Sequence, residues 1–391
     1  MRRSINNTNL TKAYIESKVS QINIMSKYLN IPIETINDCI NRGKLIKSVF
    51  RTDDSNNSMG FAFNKKGKLK VRDFGGFGFF EDVYGVVAYV LSNMYDRPIE
   101  CNRKQDFYFV LQHIAYTFKD IIEGKEIDET LEDSIKSAIH KGMNKKTIIE
   151  VVTRSWNNKD KQYWNSIGVN LSYLNTNFIY PVDQYYINRT IDTSPKYYYN
   201  DKDPCYAYMI GRNSSGITLM KLYFPKRNKQ TELKFVTNCN VLEGLLNLEL
   251  DNYDYIVITK STKDRISLGN TLFDNPYYRG TDNKLLNIGV INLPSENYHL
   301  KQKEYDYLKN KLSDNGKIYS FLDFDRTGRR TAKYLKDYYN IPYIFITRGE
   351  FGLYNYGAKD FSELFLEYSK DEIVDLINET IYYVEERRDY S

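Results

Sequence analysis

No two cysteines in this sequence are spaced to share a metal. Cys39, Cys101, Cys205 and Cys239 lie far apart, no C-x-x-C pair occurs, and the chain has only 3 histidines. A zinc site built from cysteines close in sequence is thereby excluded, and a disulfide framework is out of place in a chain of 391 residues. The setting expected is reducing, intracellular and cytoplasmic. No run of eighteen apolar residues occurs, and the opening MRRSINNTNL carries no apolar core of a secretion signal, so no membrane partner is expected. A G-x-x-x-x-G-K-[ST] phosphate loop is also missing. Charge is nearly balanced, with a formal net of +5, which by itself does not mark a nucleic-acid binder.

What the chain does have is apolar residues at 41%, enough for two or three domains with real cores. Its 36 tyrosines, with abundant Lys, Asn and Ile, are explained most simply by an AT-rich coding sequence. Basic residues cluster at Lys65, Lys66, Lys68, Lys70 and Arg72, at Lys141, Lys145 and Lys146, and at Lys221, Lys226, Arg227 and Lys229. Such clusters suit a phosphate backbone as well as a solvated face.

Apolar spacing predicts helices up to about residue 47, a short antiparallel β unit over 48–80, a helix from Glu81, and helices over 105–150. The segment VVTRSWNNKDKQYWNSIG marks a boundary near 151, with Trp164 read as core. After β-type runs (NFIYPV, CYAYMI, GITLMKLYF, LKFVTN), strands alternate with helices: DYIVITK, LLNIGVINL, YDYLKNKL, KIYSFLDFD, GRRTAKYLKDYY, YIFIT and a last helix from 361. That alternation implies βαβ units and a mostly parallel sheet, an α/β fold within a chain that is α+β overall. The expected division is 1–100, 101–150, 151–240 and 241–391.

The most informative segment is KIYSFLDFDRTGRRTAKYLKDYY. A buried strand, Ile318 to Leu322, ends in Asp323-Phe324-Asp325, and Gly328 opens an amphipathic helix with Ala332 and Leu335 facing inward. Residues two apart in extended chain point the same way, so both carboxylates face one side at the carboxyl end of a strand. Carboxylates placed so suit Mg²⁺ or Mn²⁺, as nucleotidyl transfer and phosphodiester hydrolysis require. The plainer reading is that they cap the next helix.

This segment resembles the D-x-D-x-x-G motif of TOPRIM domains, found in bacterial-type primases, type IA and II topoisomerases and some nucleases. Arg329 or Arg330 with Thr331 and Ala332 resembles the primase form, and Lys359-Asp360 before Phe361-Ser362-Glu363-Leu364 resembles the late acidic motif. Asp360 with Glu363 also makes a capping box. The resemblance implies Asp323, Asp325 and Asp360 as metal ligands and Arg329 as a nucleic-acid contact.

The family places a Glu, then Gly and a nearby Asp, at the end of an earlier strand. Here DYIVIT runs into Lys260-Ser261-Thr262-Lys263-Asp264, a K-S-x-K-D form similar to a phage branch of primase-like proteins. The resemblance assigns Lys260 and Asp264 to the catalytic group and Lys260 and Lys263 to nucleotide phosphates. Glu243-Gly244 and Glu296 are further candidates for the missing carboxylate, with Glu243 80 residues before Asp323 against 63 for Lys260. Upstream, GITLMKLYFPKRNKQTELKFVTN resembles the primase basic strand motif, with Lys221, Lys226 and Arg227 as DNA or nucleotide contacts. The block from Phe50 to Val90 resembles the primase zinc ribbon in its order of elements, but without the zinc ligands.

The resemblance therefore implies a ribbon-like module without zinc, a helical connector, a mixed primase-type subdomain and a TOPRIM domain. It implies Mg²⁺- or Mn²⁺-dependent synthesis of short RNA primers from NTPs on single-stranded DNA, in host cytoplasm if phage-encoded. Lacking the phosphate loop, the chain would need a separate replicative helicase. The rival readings are a TOPRIM nuclease and a non-catalytic protein that only holds DNA or NTP.

Overall fold

Helical spacing in the first forty residues is realised as three short helices, each bounded by a local signal at one end or both. α1 (Lys12–Lys18) is capped by the Thr11 side chain, α2 (Gln21–Leu29) by Ser20, and α3 (Ile33–Arg42) starts after Pro32. Asn30 and Gly43 leave α2 and α3 at φ 52° and 63°, the left-handed stop that these residues tolerate best. This computed structural model describes residues 10–52, 57–75, 78–124, 129–228, 232–248, 251–275, 278–279, 284–295, 298–323, 325–345 and 360–386. Its chain divides into two units. The first is Met1–Glu150, Gln184–Tyr198 and Tyr223–Asn238; the second is Val151–Asp183, Tyr199–Leu222 and Cys239–Ser391.

In the first unit, β1 (Met59–Phe63), β2 (Leu69–Asp73) and β3 (Phe80–Asp82) form the expected antiparallel sheet in the order β1-β2-β3. Asp82 then caps α4 (Val83–Tyr95) by accepting from the Tyr84 and Gly85 amides. α5 (Lys104–Thr117), α6 (Lys119–Glu123) and α7 (Glu129–Met143) follow. One core joins them, with Met25, Tyr28, Leu69, Val71, Val87, Leu91 and Ile114 buried. Inside it, the Tyr28 hydroxyl lies 2.7 Å from His113 Nδ1, and burial pushes the imidazole pKa down to about 4.

Among the described residues, a polar knot fastens this three-stranded block. Asp73, 1% exposed, accepts from Ser48 Oγ (2.6 Å), Arg51 Nε (3.1 Å), Ser58 Oγ (2.8 Å) and the Gly75 amide (2.9 Å). Arg51 also donates to Ser58 Oγ at 2.7 Å. A buried carboxylate met by four donors ties the ends of the hairpin together.

The middle of the chain supplies β4 (Ile149–Thr153), α8 (Asn158–Asn165), α9 (Leu171–Thr176), β5 (Ile179–Ile187), β6 (Tyr197–Tyr198), β7 (Tyr206–Arg212), β8 (Thr218–Tyr223) and β9 (Phe235–Thr237). Ile179–Pro181 of β5 pair antiparallel with Tyr206–Tyr208, while Gln184 and Tyr185 pair with Tyr198 and Tyr197. Trp164 is fully buried, in the second unit, edge-on to Tyr206 at 5.1 Å between ring centroids.

The second unit is built on a parallel sheet in the order β11-β10-β12-β13. Its elements are β10 (Tyr253–Thr259), α10 (Thr262–Asp274), β11 (Ile288–Asn292), α11 (Gln302–Asn310), β12 (Leu312–Leu322), α12 (Arg326–Tyr339), β13 (Tyr343–Phe345) and α13 (Lys370–Glu386). The alternation in β12 sorts its side chains. Ile318 and Leu322 join Ile256, Ile258, Ala332 and Leu335 on one face, while Phe321 joins Val257, Leu268, Phe361, Leu376 and Ile377 on the other. Helices thus cover both faces, as a parallel sheet requires. The last helix begins later than its expected start at 361. Asp360 caps a short 3₁₀ helix, Phe361–Leu366, and α13 starts afresh where Ser369 and Glu372 cap each other.

Candidate active site

From β10 the chain goes to β11 on one side, then returns to β12 on the other. The carboxyl ends of β10 and β12 therefore flank a topological switch point, where open α/β sheets leave a crevice. Lys260 follows β10 and Asp323 follows β12, so strand registry carries both to this crevice.

Gly328 brings the start of α12 against the end of β12. A Cβ there would sit 2.1 Å from the Asp323 carbonyl oxygen, so only glycine permits the approach. Asp325 caps the helix through the Gly328 amide at 2.7 Å, as the plainer reading of the motif expects. Its other oxygen has a second partner: Lys260 Nζ lies 3.3 Å from Asp325 Oδ2 and 2.6 Å from Asp323 Oδ2. Asp323 is 5% exposed, and the ammonium beside it offsets a charge that is costly to bury.

Ser261 explains the rest of the K-S-x-K-D segment. Its hydroxyl caps α10 by accepting from the Asp264 amide and donates to Asp264 Oδ2 at 2.6 Å. The other oxygen of Asp264 accepts from the Ser362 amide at 3.2 Å. Asp360 accepts from Ser362 Oγ (2.7 Å) and the Glu363 amide (3.1 Å), with Lys263 Nζ at 3.9 Å. One oxygen each from Asp264, Asp323 and Asp360 fall within 4.8 Å of one another. Burial, and then Asp360, push the Asp264 carboxyl up to about 7, against the pull of Ser261 and Lys263. Three convergent carboxylates, two of them buried, are a hard-oxygen donor set suited to Mg²⁺ or Mn²⁺.

Lys221 is buried and donates to Glu243 Oε1 (2.7 Å) and the Pro294 carbonyl (3.2 Å). Glu243 also accepts from Thr262 Oγ1 and Asn292 Nδ2, and Arg265 joins this network through Asn292 and Asn177. Lys221 belongs to the second unit, whereas Lys226 and Arg227 belong to the first. Lys226 is exposed; Arg227 lies 3.4 Å over the Phe224 ring and donates to the Leu233 carbonyl. Arg329 is exposed on α12. Glu296 and Lys359 lie outside the described residues. Ser261 and Ser362, which orient Asp264, were not singled out from the sequence; the S-x-x-D spacing at 261–264 was the available signal for the first.

No protein-family model and no curated protein sequence matches the chain. Among solved structures it is similar to the primase fragment of the bacteriophage T7 primase-helicase protein, at 13% identity and a TM-score of 0.34, over 58% of this chain and 83% of that one. It is also similar to the RNA polymerase domain of Mycobacterium tuberculosis primase DnaG, at 10% identity and a TM-score of 0.30, over 74% of this chain and 82% of that one. A third similarity, at 13% identity and a TM-score of 0.34, covers 58% of this chain and 97% of one from a T7 lagging-strand DNA polymerase assembly. That assembly has primase domains of two gp4 subunits bound to an RNA/DNA hybrid and dTTP. Among the described residues no helix is long and apolar enough to cross a membrane.

Proposed function

We propose that Asp264, Asp323 and Asp360 hold a divalent cation, Mg²⁺ or Mn²⁺, and that the chain is a phage-type DNA primase. The observation that supports this reading is the convergence of these three carboxylates at the switch point, with Lys260 against Asp323 and Asp325. Lys260 pairs with Asp323 and Asp325, Lys263 lies 3.9 Å from Asp360, and the three convergent carboxylates suit one divalent ion. When bound, that ion polarises phosphate and stabilises charge on the attacking and leaving oxygens. Lys260 holds Asp323 and Asp325 in fixed orientation and lowers the local negative potential that would repel a triphosphate. Asp325 and Gly328 fix the start of α12 beside the reacting phosphates. The 3′-hydroxyl oxygen of one nucleotide then attacks the α-phosphorus of an NTP. The bond to the bridging oxygen breaks, pyrophosphate leaves, and the hydroxyl proton passes to water.

Incubation with single-stranded DNA templates, NTPs and Mg²⁺ or Mn²⁺, with products resolved by length, tests this. Short RNA made only with template and metal is expected. No RNA on any template, with NTP and DNA still bound, would favour the non-catalytic binding protein, the reading that the Lys260 ion pairs also suit. Shortening of the template would favour the nuclease.

A further inference from the structure

We propose that the outward face of α12 is a track for one unpaired nucleic-acid strand, leading away from the acidic cluster; this rests on reading that cluster as a nucleotidyl-transfer site. The helix turns Gly328, Thr331, Ala332 and Leu335 inward. Arg326, Arg329, Arg330, Lys333 and Lys336 are all exposed. At 3.6 residues per turn these five fall within an arc of roughly 120°, and at 1.5 Å per residue they extend over about 15 Å. That spacing suits several successive phosphates of one strand. Asp337, in the last turn, is the helix's sole acidic residue.

Two features separate this face from an ordinary solvated helix. First, three arginines in the opening five residues stand at the positive end of the helix dipole, where cations are disfavoured. Helix stability alone would not select them. Lys333 and Lys336 lie about two and three turns up the helix, beyond the carboxylates at its start. Second, an aromatic platform flanks the stripe. Tyr338 is 74% exposed and lies 4.7 Å from Tyr334, centroid to centroid, and His299 meets Tyr334 at 4.7 Å. A cationic track beside exposed rings is the combination that binds single strands, the rings stacking on bases and the cations following phosphates.

The test measures binding of fluorescent oligothymidylate across a salt series, with Mg²⁺ affinity measured by calorimetry on the same full-length proteins. Arg330→Ala/Lys333→Ala should flatten the plot of log affinity against log salt by about 1.4, roughly 0.7 for each phosphate left without its cation. Tyr338→Ala should weaken binding roughly five- to a hundredfold with an unchanged slope. Mg²⁺ affinity should stay at the wild-type value in both, since none of these residues belongs to the carboxylate cluster. Unchanged DNA affinity and slope would overturn the proposal, as would a fall in Mg²⁺ affinity with DNA binding intact, which would make the arginines counter-charges. Tighter binding of duplex, insensitive to Tyr338→Ala, would overturn the single-strand assignment. If the wild type binds no Mg²⁺ but shows the predicted oligothymidylate slopes, the track stands and the metal reading fails.

Discussion

Replacing Lys260 by methionine removes one charge and keeps most of the side chain's length. In the native protein that charge sits 2.6 Å from Asp323 and 3.3 Å from Asp325, with the lysine side chain 12% exposed. Asp323 shares its surroundings with Asp264 and Asp360. Without the ammonium, three carboxylates face one another in a largely buried space. Removing one partner of a buried ion pair costs about 3–5 kcal/mol. For a unit of this size that lowers the melting temperature by roughly 6–20 °C. A divalent ion should narrow the gap by about 1.4 kcal/mol for each tenfold by which the variant binds it more tightly than the wild type. Scanning calorimetry of wild type and Lys260→Met, in EDTA and in saturating Mg²⁺, reads both effects. The expected result is a large gap in EDTA that narrows in Mg²⁺, with tighter Mg²⁺ binding by the variant. Lys260→Glu should depend on Mg²⁺ still more and lose activity. A Lys260→Met protein that melts within about 2 °C of wild type in EDTA would refute the view that this lysine neutralises the site.

Asp323→Asn should lower divalent-ion affinity at least about tenfold and nucleotidyl transfer roughly a hundredfold or more. Asp325→Asn should lose transfer similarly but melt near the wild-type temperature, because asparagine caps a helix as well as aspartate does; a large loss of stability there would make the carboxylate mainly structural. In the helical unit, buried His113 holds its proton less tightly (about 4) than an unfolded histidine does. The folded state therefore binds fewer protons between about pH 6.5 and 4 and loses up to roughly 3 kcal/mol as pH falls through that window. Urea titrations from pH 7.5 to 4.5 should show this slope in wild type and a shallower one in His113→Gln. Asp73→Ala, by stranding Arg51 and two serines, should cost about 3 kcal/mol, while chelators leave the unfolding curve of that unit unchanged; a cost under about 1 kcal/mol would mean the polar knot is dispensable.

Local chemistry was legible in the sequence where it is decided locally. The apolar run before Asp323, the glycine at 328 and the inward Ala332 and Leu335 determine strand, turn and helix without help from distant residues. The convergence of the cluster is different, since Asp264 and Ser362 meet across 98 positions and only the closed sheet brings them together. Lys221 shows the same limit. A lysine in the strand TLMKLY reads as a surface cation, and nothing within the strand reveals that Glu243 will pair with it in a buried position. The short antiparallel unit and the helix after it were legible in the order of elements, but the fastening of the strands was not. Asp73 and its four donors are ordinary polar residues until the hairpin closes.

The way the chain weaves between its two units limits how the protein can be cut. Each unit is assembled from three separate stretches, so no single break in the sequence yields either one whole. A fragment beginning at residue 241 would keep Asp264, Asp323 and Asp360 yet discard Lys221 and Asn177. The Glu243 carboxylate and the Arg265 guanidinium would then be deprived of partners they have in the intact chain. Inactivity or aggregation of such a fragment would therefore report missing scaffold rather than missing chemistry, and substitutions in the full chain are the sound way to assign roles.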